Sequence, residues 1–560
     1  MTVPDLLAPP VVHDDRSAPP ASRRRRVVGL SVRSAFAAAA GAATSLAFEP
    51  TAWVWVAPLG VAGFVLAVRG VSPRAAWLPG LAFGLGYELL LLGWMRAVGP
   101  DAWLALAGLE ALFFGVLGWA TAVLTRARLW PVWVALAWVT AEVWRGQWPF
   151  SGMPWGRLAF ATVDTPMAQA LPWVGANGVS LLLALIGTGL AWLLTGGWRR
   201  PVLAASAAGL AVAAVWLPGL ATPSLPGDGT ATVAAVQGNV PGDGSDILLD
   251  HRQVTRNHVD ATLELAEDVA AGRRPAPDFV VWPENSTAVD PFRDAEINRE
   301  LDEAAAAIGV PVLVGVIADA PRPGDVLNQG IVWDPLSGPG DRYTKKHPVP
   351  FGEYIPWRDK VFKSNFGQLA LVQRDMLSGT RTDPLTIADV PIADSICFDV
   401  AYDDGIRVQL ENGARLLVVQ TSNATFIHTH QIAQQFAITR LRAIETQHSV
   451  VVAATNGVTG VIDAQGRVVD SAEPRTQAVL VDTVDLVSGV TPGVRFGPWV
   501  GRGAVAATLL ALMLVLARPR RSQDPQAPQA RLGGAAPQAP LVSGATQPFG
   551  QQAPPPGGAG

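Results

Sequence analysis

Charged residues are distributed so unevenly along this chain that no single water-soluble domain can hold them. Residues 27–224 contain 16 Asp, Glu, Lys and Arg in 198 positions, while residues 225–490 contain 57 in 266. A soluble domain carries about a quarter of its residues as charges. The first stretch therefore reads as lipid-embedded and the second as facing water. Apolar runs close to the roughly 20 residues that span a bilayer lie at about 28–48, 52–68, 76–95, 103–125, 129–144, 172–195 and 201–219. An eighth lies at 498–517. The expected architecture is a membrane domain of about eight helices, seven in 27–224 and one in 491–521, enclosing an α/β domain at 225–490. The flanks 1–26 and 522–560 are rich in Pro, Ala, Gln and Gly or basic, and read as disordered tails.

Arginine placement orients the helices, because short loops rich in Lys and Arg stay cytoplasmic. Arg23–Arg26, Arg69 with Arg74, Arg126 with Arg128, Arg199 with Arg200, and Arg518 with Arg520 and Arg521 fall on one side of an eight-span layout. That layout puts both termini in the cytoplasm and residues 225–490 outside the cytoplasmic membrane. Arg33 interrupts the first run, so residues 23–48 could also be a signal peptide; the spans that follow favour an uncleaved anchor. Glu88, Glu110 and Glu142 lie within spans, where a carboxyl is costly and a functional candidate. Glu142 has Arg145 one turn away as a ready partner. A net charge of −4 gives no electrostatic case for nucleic acid. A single cysteine allows no internal disulfide and no Cys-rich metal site.

Between 225 and 490, short β-branched runs alternate with helical patterns, as in an α/β domain. Strands are expected at Thr230–Gln237, Phe279–Pro283, Val312–Ile317, Gly330–Trp333, Asp394–Phe398, Leu416–Gln420 and Val450–Thr455, and a hairpin at Gly457–Asp463 and Val468–Asp470. Helices are expected at about 251–272, 296–308, 402–413 and 429–447. No Gly-rich phosphate loop follows a strand, so no nucleotide cofactor is expected.

Three polar sites sit where strands end, which is where α/β sheets collect ligands. Glu284 lies just beyond the strand stopped by Pro283, and is placed to act as a base or, equally, to cap a turn. Lys345 and Lys346 stand out because the chain has four lysines among 42 basic residues. A compact cation suits a developing oxyanion, although a Lys-Lys pair is often only a solvated loop. Cys397 ends a strand with a helix expected after it, a position that favours a reactive thiolate; an inert core thiol is the other reading. Histidine is the usual base for such a thiol, so His347, His428, His430 and His448 are candidates too. None has metal-ligand spacing beyond the weak His428-Thr429-His430 pair.

Taken in order, these sites resemble the Glu-Lys-Cys triad of the nitrilase (carbon–nitrogen hydrolase) superfamily. Its membrane branch, the apolipoprotein N-acyltransferases, is similar in four further places. These are Gln237-Gly238-Asn239-Val240-Pro241, Trp282-Pro283-Glu284, Pro350-Phe351-Gly352-Glu353-Tyr354, and Glu142-Val143-Trp144-Arg145-Gly146 followed by Gly152-Met153-Pro154-Trp155. The resemblance covers about residues 30–515. It implies an extracytoplasmic α-β-β-α sandwich with Glu284 as general base, Lys345 as the cation at the oxyanion, Cys397 as nucleophile and Glu353 as a supporting carboxylate. It implies no cofactor or metal. It also implies a phospholipid acyl donor, a diacylglyceryl-lipoprotein acceptor and a lipid bilayer as surroundings. Some relatives are joined to a polyprenol-phosphate mannose synthase, which makes such an enzyme a further partner to consider. The sequence departs from the family at Asp399, where a glutamate is frequent, after Pro241, and in the loop Thr421–Phe426, which lacks a tryptophan. A membrane-anchored amidase or nitrilase using the same triad, and a non-enzymatic membrane scaffold, are the competing readings.

Overall fold

The computed structural model describes residues 23–245, 250–287, 289–358, 360–362 and 367–517. Helices occupy all eight positions read from the apolar runs: α1 (Arg23–Ser45), α2 (Val56–Val68), α3 (Pro73–Leu91), α4 (Pro100–Leu124), α5 (Trp130–Arg145), α6 (Leu171–Leu194), α7 (Pro201–Trp216) and a last helix, Pro492–Ala517. Among the described residues five segments are long and apolar enough to cross a membrane: Val27–Ser45, Pro100–Leu124, Pro166–Leu194, Pro201–Leu220 and Pro492–Ala517. The helices α2, α3 and α5 fall outside that set; α5, with 16 residues, rises only about 24 Å. The tails 1–22 and 522–560 lie outside the described residues, and residues 23–26 begin α1.

Arg33, the residue that interrupts the first run, has a structural use. Its Nη1 donates to the carbonyls of Leu66 (3.2 Å), Ala67 (2.9 Å) and Arg69 (3.0 Å). It thus satisfies the unpaired carbonyls that end α2 and places a cation at the negative end of that helix. The glutamates divide differently from the expectation. Arg145 Nη1 lies 3.2 Å from Glu88 and 2.6 Å from Glu110, while Glu142 Oε1 accepts from Trp138 Nε1 (3.1 Å) and the Leu158 amide (2.9 Å). Glu142 therefore pairs with backbone and indole across the turn, and Arg145 reaches inward to two other helices.

The α/β part begins with β1 (Gly227–Gln237), α8 (His251–Ala270), β2 (Phe279–Val281), α9 (Ala295–Ile308), β3 (Val312–Asp319), β4 (Asp325–Asp334), β5 (Gly338–Thr344) and β6 (Asp375–Met376). It continues with β7 (Leu385–Ile387), β8 (Val390–Ile396), α10 (Asp404–Glu411), β9 (Leu416–Thr421), α11 (Gln431–Thr446), β10 (Val450–Ala454), β11 (Gly460–Ile462), β12 (Val468–Ser471) and β13 (Ala478–Val487); the last helix is α12. One sheet runs β13-β1-β2-β3-β4-β5 with β6 beside β4, and the other runs β12-β11-β10-β9-β8-β7. The pairs β1–β2, β2–β3, β8–β9 and β9–β10 are parallel.

These central strands are buried on both faces, as their continuous apolar composition requires. Val233, Val281, Leu313, Ile392, Val418 and Val451 pack between the sheets. Val280, Trp282 and Val314 pack outward on α8 and α9 through Leu265 and Leu301. Leu417, Val419 and Val452 pack outward on α11 through Ile438 and Leu441, in a core that runs on without a break to Phe64, Phe83 and Trp138 of the apolar helices. The sandwich is therefore α-β-β-α, and one of its helical layers is fused to the membrane helices.

Candidate active site

Loops at the strand ends bring Glu284, Lys345, Glu353 and Cys397 together. Pro283 ends the backbone pairing of β2 and Glu284 follows. Gly315 of β3 lets this segment pass, because a Cβ there would sit 2.1 Å from the Pro283 carbonyl oxygen. Asn285 (φ 56°), Cys397 (φ 54°) and Asn423 (φ 58°) all hold left-handed backbone around the site. Each such non-glycine residue costs about 1–3 kcal/mol, which the surrounding fold must offset, and such strain gathers at functional sites.

The buried Lys345 ammonium, 1% exposed, lies 3.0 Å from Glu284 Oε1 and 2.7 Å from Glu353 Oε1. Burial alone would lower its pKa, but Glu284 and Glu353 outweigh that and hold it well above the ordinary lysine value. Two of its three N–H bonds are used, so one remains for a further acceptor. Glu284 Oε1 also accepts from Asn328 Nδ2 (2.8 Å), and its Oε2 accepts from the Ser422 amide (3.1 Å). The second oxygen of Glu353 accepts from the Val349 amide at 2.7 Å. Burial raises the Glu353 carboxyl, with Lys345 pulling it back and Glu284 pushing it up.

Cys397 follows β8 directly and is half-buried. Gln435 Oε1 lies 3.9 Å from its Sγ, and that amide is itself oriented by Thr421 Oγ1 (3.1 Å) and Gln431 Nε2 (2.7 Å). Burial and the charge of Glu284 push the thiol up to about 12, against the smaller pull of Lys345 and the Thr421 hydroxyl. The expected thiolate is thus corrected. Only a five-residue 3-10 turn, Cys397–Ala401, follows the strand, and α10 starts at Asp404, so no helix dipole offsets burial. A thiol held up in this way calls for a base to take its proton.

Among the described residues no histidine, His430 included, hydrogen-bonds the Cys397 thiol. His347 Nε2 pairs with Asp404 (2.9 Å) and its ring stacks on Tyr402, His448 Nδ1 lies 2.7 Å from the Thr446 carbonyl, and His428 Nε2 lies 3.3 Å from the Asp243 carbonyl. Asp399 binds the two halves of the site together: it accepts from Tyr343 Oη (3.2 Å) and from the amides of Lys346 (3.0 Å) and His347 (2.8 Å). The shorter side chain at this position still reaches the lysine segment. Residues 246–249, in the stretch after Pro241 that departs from the family, lie outside the described residues.

The segments that follow α3 and α5 contribute one wall. Trp155 stacks on Phe398, the residue after the cysteine, at 5.8 Å, and Trp94 packs on Phe426 at 5.2 Å and on Trp155 at 5.5 Å. Gln434 fixes both indoles: its Oε1 accepts from Trp94 Nε1 (3.1 Å) and Trp155 Nε1 (2.7 Å), and its Nε2 donates to the Glu49 carbonyl (2.9 Å). Sequence reasoning missed Asn328, Gln431, Gln434 and Gln435. Asn328 lies on β4 with no such signal, and the one signal for the three glutamines is a run of amides on the otherwise apolar face of α11, whose partners only the fold supplies.

Two family models match the chain: the apolipoprotein N-acyltransferase N-terminal domain over residues 40–189, and carbon-nitrogen hydrolase over residues 232–490. The apolipoprotein N-acyltransferase of Mycolicibacterium smegmatis is 37% identical over 500 residues, covering 85% of this chain and 84% of that one. The protein of the same name from Methylococcus capsulatus is 32% identical over 491 residues, covering 82% and 92%. Among solved structures, a carbon-nitrogen hydrolase from Helicobacter pylori has 14% identity and a TM-score of 0.33, covering 50% of this chain and 94% of that one.

Proposed function

The chain belongs to the apolipoprotein N-acyltransferase family, and from that premise we propose that it carries an acyl chain from a membrane phospholipid, through a thioester on Cys397, to the α-amino group of a diacylglyceryl-cysteine at a lipoprotein N-terminus. One observation carries the reading: a buried lysine clamped between two carboxylates, beside a half-buried thiol.

In the first step Cys397 Sγ attacks the ester carbonyl carbon while Glu284 takes the thiol proton. The free N–H of Lys345 meets the tetrahedral oxyanion. Collapse breaks the ester C–O bond, Glu284 returns the proton to the departing glyceryl oxygen, and a lysophospholipid leaves. In the second step the acceptor amine attacks the thioester carbon and gives a proton to Glu284. The C–S bond then breaks, the proton returns to sulfur, and an amide remains. Glu353 anchors Lys345 throughout.

The aromatic wall of Trp94, Trp155, Phe398 and Phe426 favours this transfer over hydrolysis, because it keeps water from the thioester. The arginine pattern supports eight crossings with the sandwich extracytoplasmic and both termini inside. Incubation with acyl-labelled phospholipid tests the mechanism. A hydroxylamine-sensitive label on the wild-type protein, lost in Cys397→Ala, is expected. Release of free fatty acid without a protein-bound label would reassign the site to a hydrolase.

A further inference from the structure

A second cavity, of about 400 Å³, lies where α5, α6 and α12 meet the segment Ala401–Arg407. Its size is that of a small-ligand site. Neither Glu284, Lys345 nor Cys397 lines it. It is separate from the reaction centre, although Ala401 and Tyr402 on its wall end the turn that Cys397 begins.

Exposed tryptophans mark the depth of its mouth. Trp144 (42% exposed) and Trp148 (57%) adjoin the lining residues Val143 and Gln147, and Trp499 (63%) adjoins Pro498. Exposed indoles on membrane helices gather at the headgroup level. Of the three acids on its wall, Glu142 accepts at Oε1 from Trp138 and the Leu158 amide and keeps Oε2 open, while the two aspartates are engaged. Asp403 pairs with Arg157 and Arg442, each at 2.8 Å, and Asp404 with Lys346 (3.0 Å) and His347 (2.9 Å). Two cations on the wall, Arg407 and Arg502, are only partly used among the described residues. Arg502 lies over the Trp499 ring at 4.7 Å and has no acidic partner among the described residues. Arg407 gives Nη1 to Glu411 (2.7 Å), but its Nε is buried with no hydrogen-bond partner. A buried guanidinium donor left open in a polar cavity calls for an anionic acceptor.

We infer that this cavity binds the phosphate of a glycerophospholipid headgroup between Arg407 and Arg502, with the acyl chains in the bilayer along the seam where α5 meets α12. The seam is closed deeper down by the Thr140–Thr508 hydroxyl pair at 3.0 Å. This lipid is additional to the acyl donor, and its binding requires no turnover. A free phosphate would meet the same guanidiniums, so the test has an arm for each source.

All proteins in the test are full-length and carry Cys397→Ala, which removes any covalently held acyl chain. Phosphatidylglycerol retained after delipidation and re-addition is counted by native mass spectrometry. The parent should retain one phospholipid more than the variant carrying Arg407→Gln with Arg502→Gln, in which this site should bind about tenfold more weakly or worse. Arg407→Lys with Arg502→Lys, which keeps the charges, should restore most of the binding and shows that the site still folds. Equal retention by the glutamine variant would overturn the site. Stabilisation of the lipid-free parent by inorganic phosphate, with no phospholipid retained, would overturn the lipid assignment. A failure of thioester chemistry at Cys397 would leave these outcomes unchanged.

Discussion

At the scale of single residues the site separates groups that react from groups that hold. Cys397→Ala should abolish N-acylation by at least about 10³-fold with the protein still membrane-inserted. Cys397→Ser should slow the acyl step, since a hydroxyl is the weaker nucleophile; single-turnover labelling distinguishes the two. Lys345→Arg should also fail, by about 10²–10³-fold in acylation rate. A planar guanidinium cannot keep both carboxylates and still offer an N–H in the direction the ammonium does, and near-wild-type rates would refute the oxyanion role. Glu353 gives a pH prediction with a definite sign. Its pKa is raised by burial, so the charge that anchors Lys345 is present above that pKa and lost as pH falls through it. Acylation should therefore decline on the acid side at a higher pH than an ordinary glutamate near 4.3 would impose. Glu353→Gln should remove that limb at lower overall rate, and an unchanged acid limb in this variant would contradict the assignment. Glu284 and Cys397 were legible because each ends or follows an apolar strand, and Lys345 because lysine is rare in this chain. The protonation state of Cys397 was not, since it depends on burial and on the length of the turn that follows, which no local pattern records.

At the scale of elements, strands and helices differ in how openly the sequence announces them. Central strands such as β3 and β9 carry unbroken apolar runs, 312–318 and 416–419, because both faces are covered. The strands that pattern reading did not anticipate, β5, β6, β7 and β13, lie at sheet edges or beside the main order, where one face or one ladder is free. Gly338, Pro339 and Gly340 argue against any strand, yet an edge tolerates a residue that cannot donate. The edge strand β12 was legible through its hairpin turn. Helix α11 raises a different problem: its buried amides look like local faults until the tryptophans of the membrane helices are placed against them. Gln434 alone accepts from two indoles. Gln434→Leu should therefore leave two buried N–H donors open at about 1–3 kcal/mol each. Thermal unfolding in detergent should occur earlier, and acylation should weaken as Trp155 and Phe398 lose their register beside Cys397. A fall in stability with fully retained acylation would make Gln434 a packing residue only.

At the scale of the whole molecule, the contrast in charge density that set the architecture also hides how the halves are joined. A boundary near residue 225 suggests two bodies linked by a strand, yet Phe398, Val419 and Leu441 of the sandwich share one core with Phe64 and Trp138 of the apolar helices. The Arg157–Asp403 pair (2.8 Å) and the bond from the Ala176 amide to Glu445 (2.9 Å) tie the same surfaces. Composition cannot report such an interface, because its residues are apolar on both sides and count equally toward either half. The fusion makes the topology testable from few positions, since the sandwich and the helix ends beneath it must lie on one side of the membrane. The single cysteine makes the test clean: a Cys397→Ser background carries no other thiol. Ser72→Cys, in the exposed loop between α2 and α3, changes only oxygen to sulfur; Leu336→Cys sits on the sandwich at a position 97% exposed. In intact cells a membrane-impermeant maleimide should label the Leu336 variant and spare the Ser72 variant. Permeabilised cells should label both. Labelling of the Ser72 variant with the Leu336 variant spared would reverse the orientation, and labelling of both in intact cells would put the positive loops and the sandwich on one face, against the eight-crossing layout.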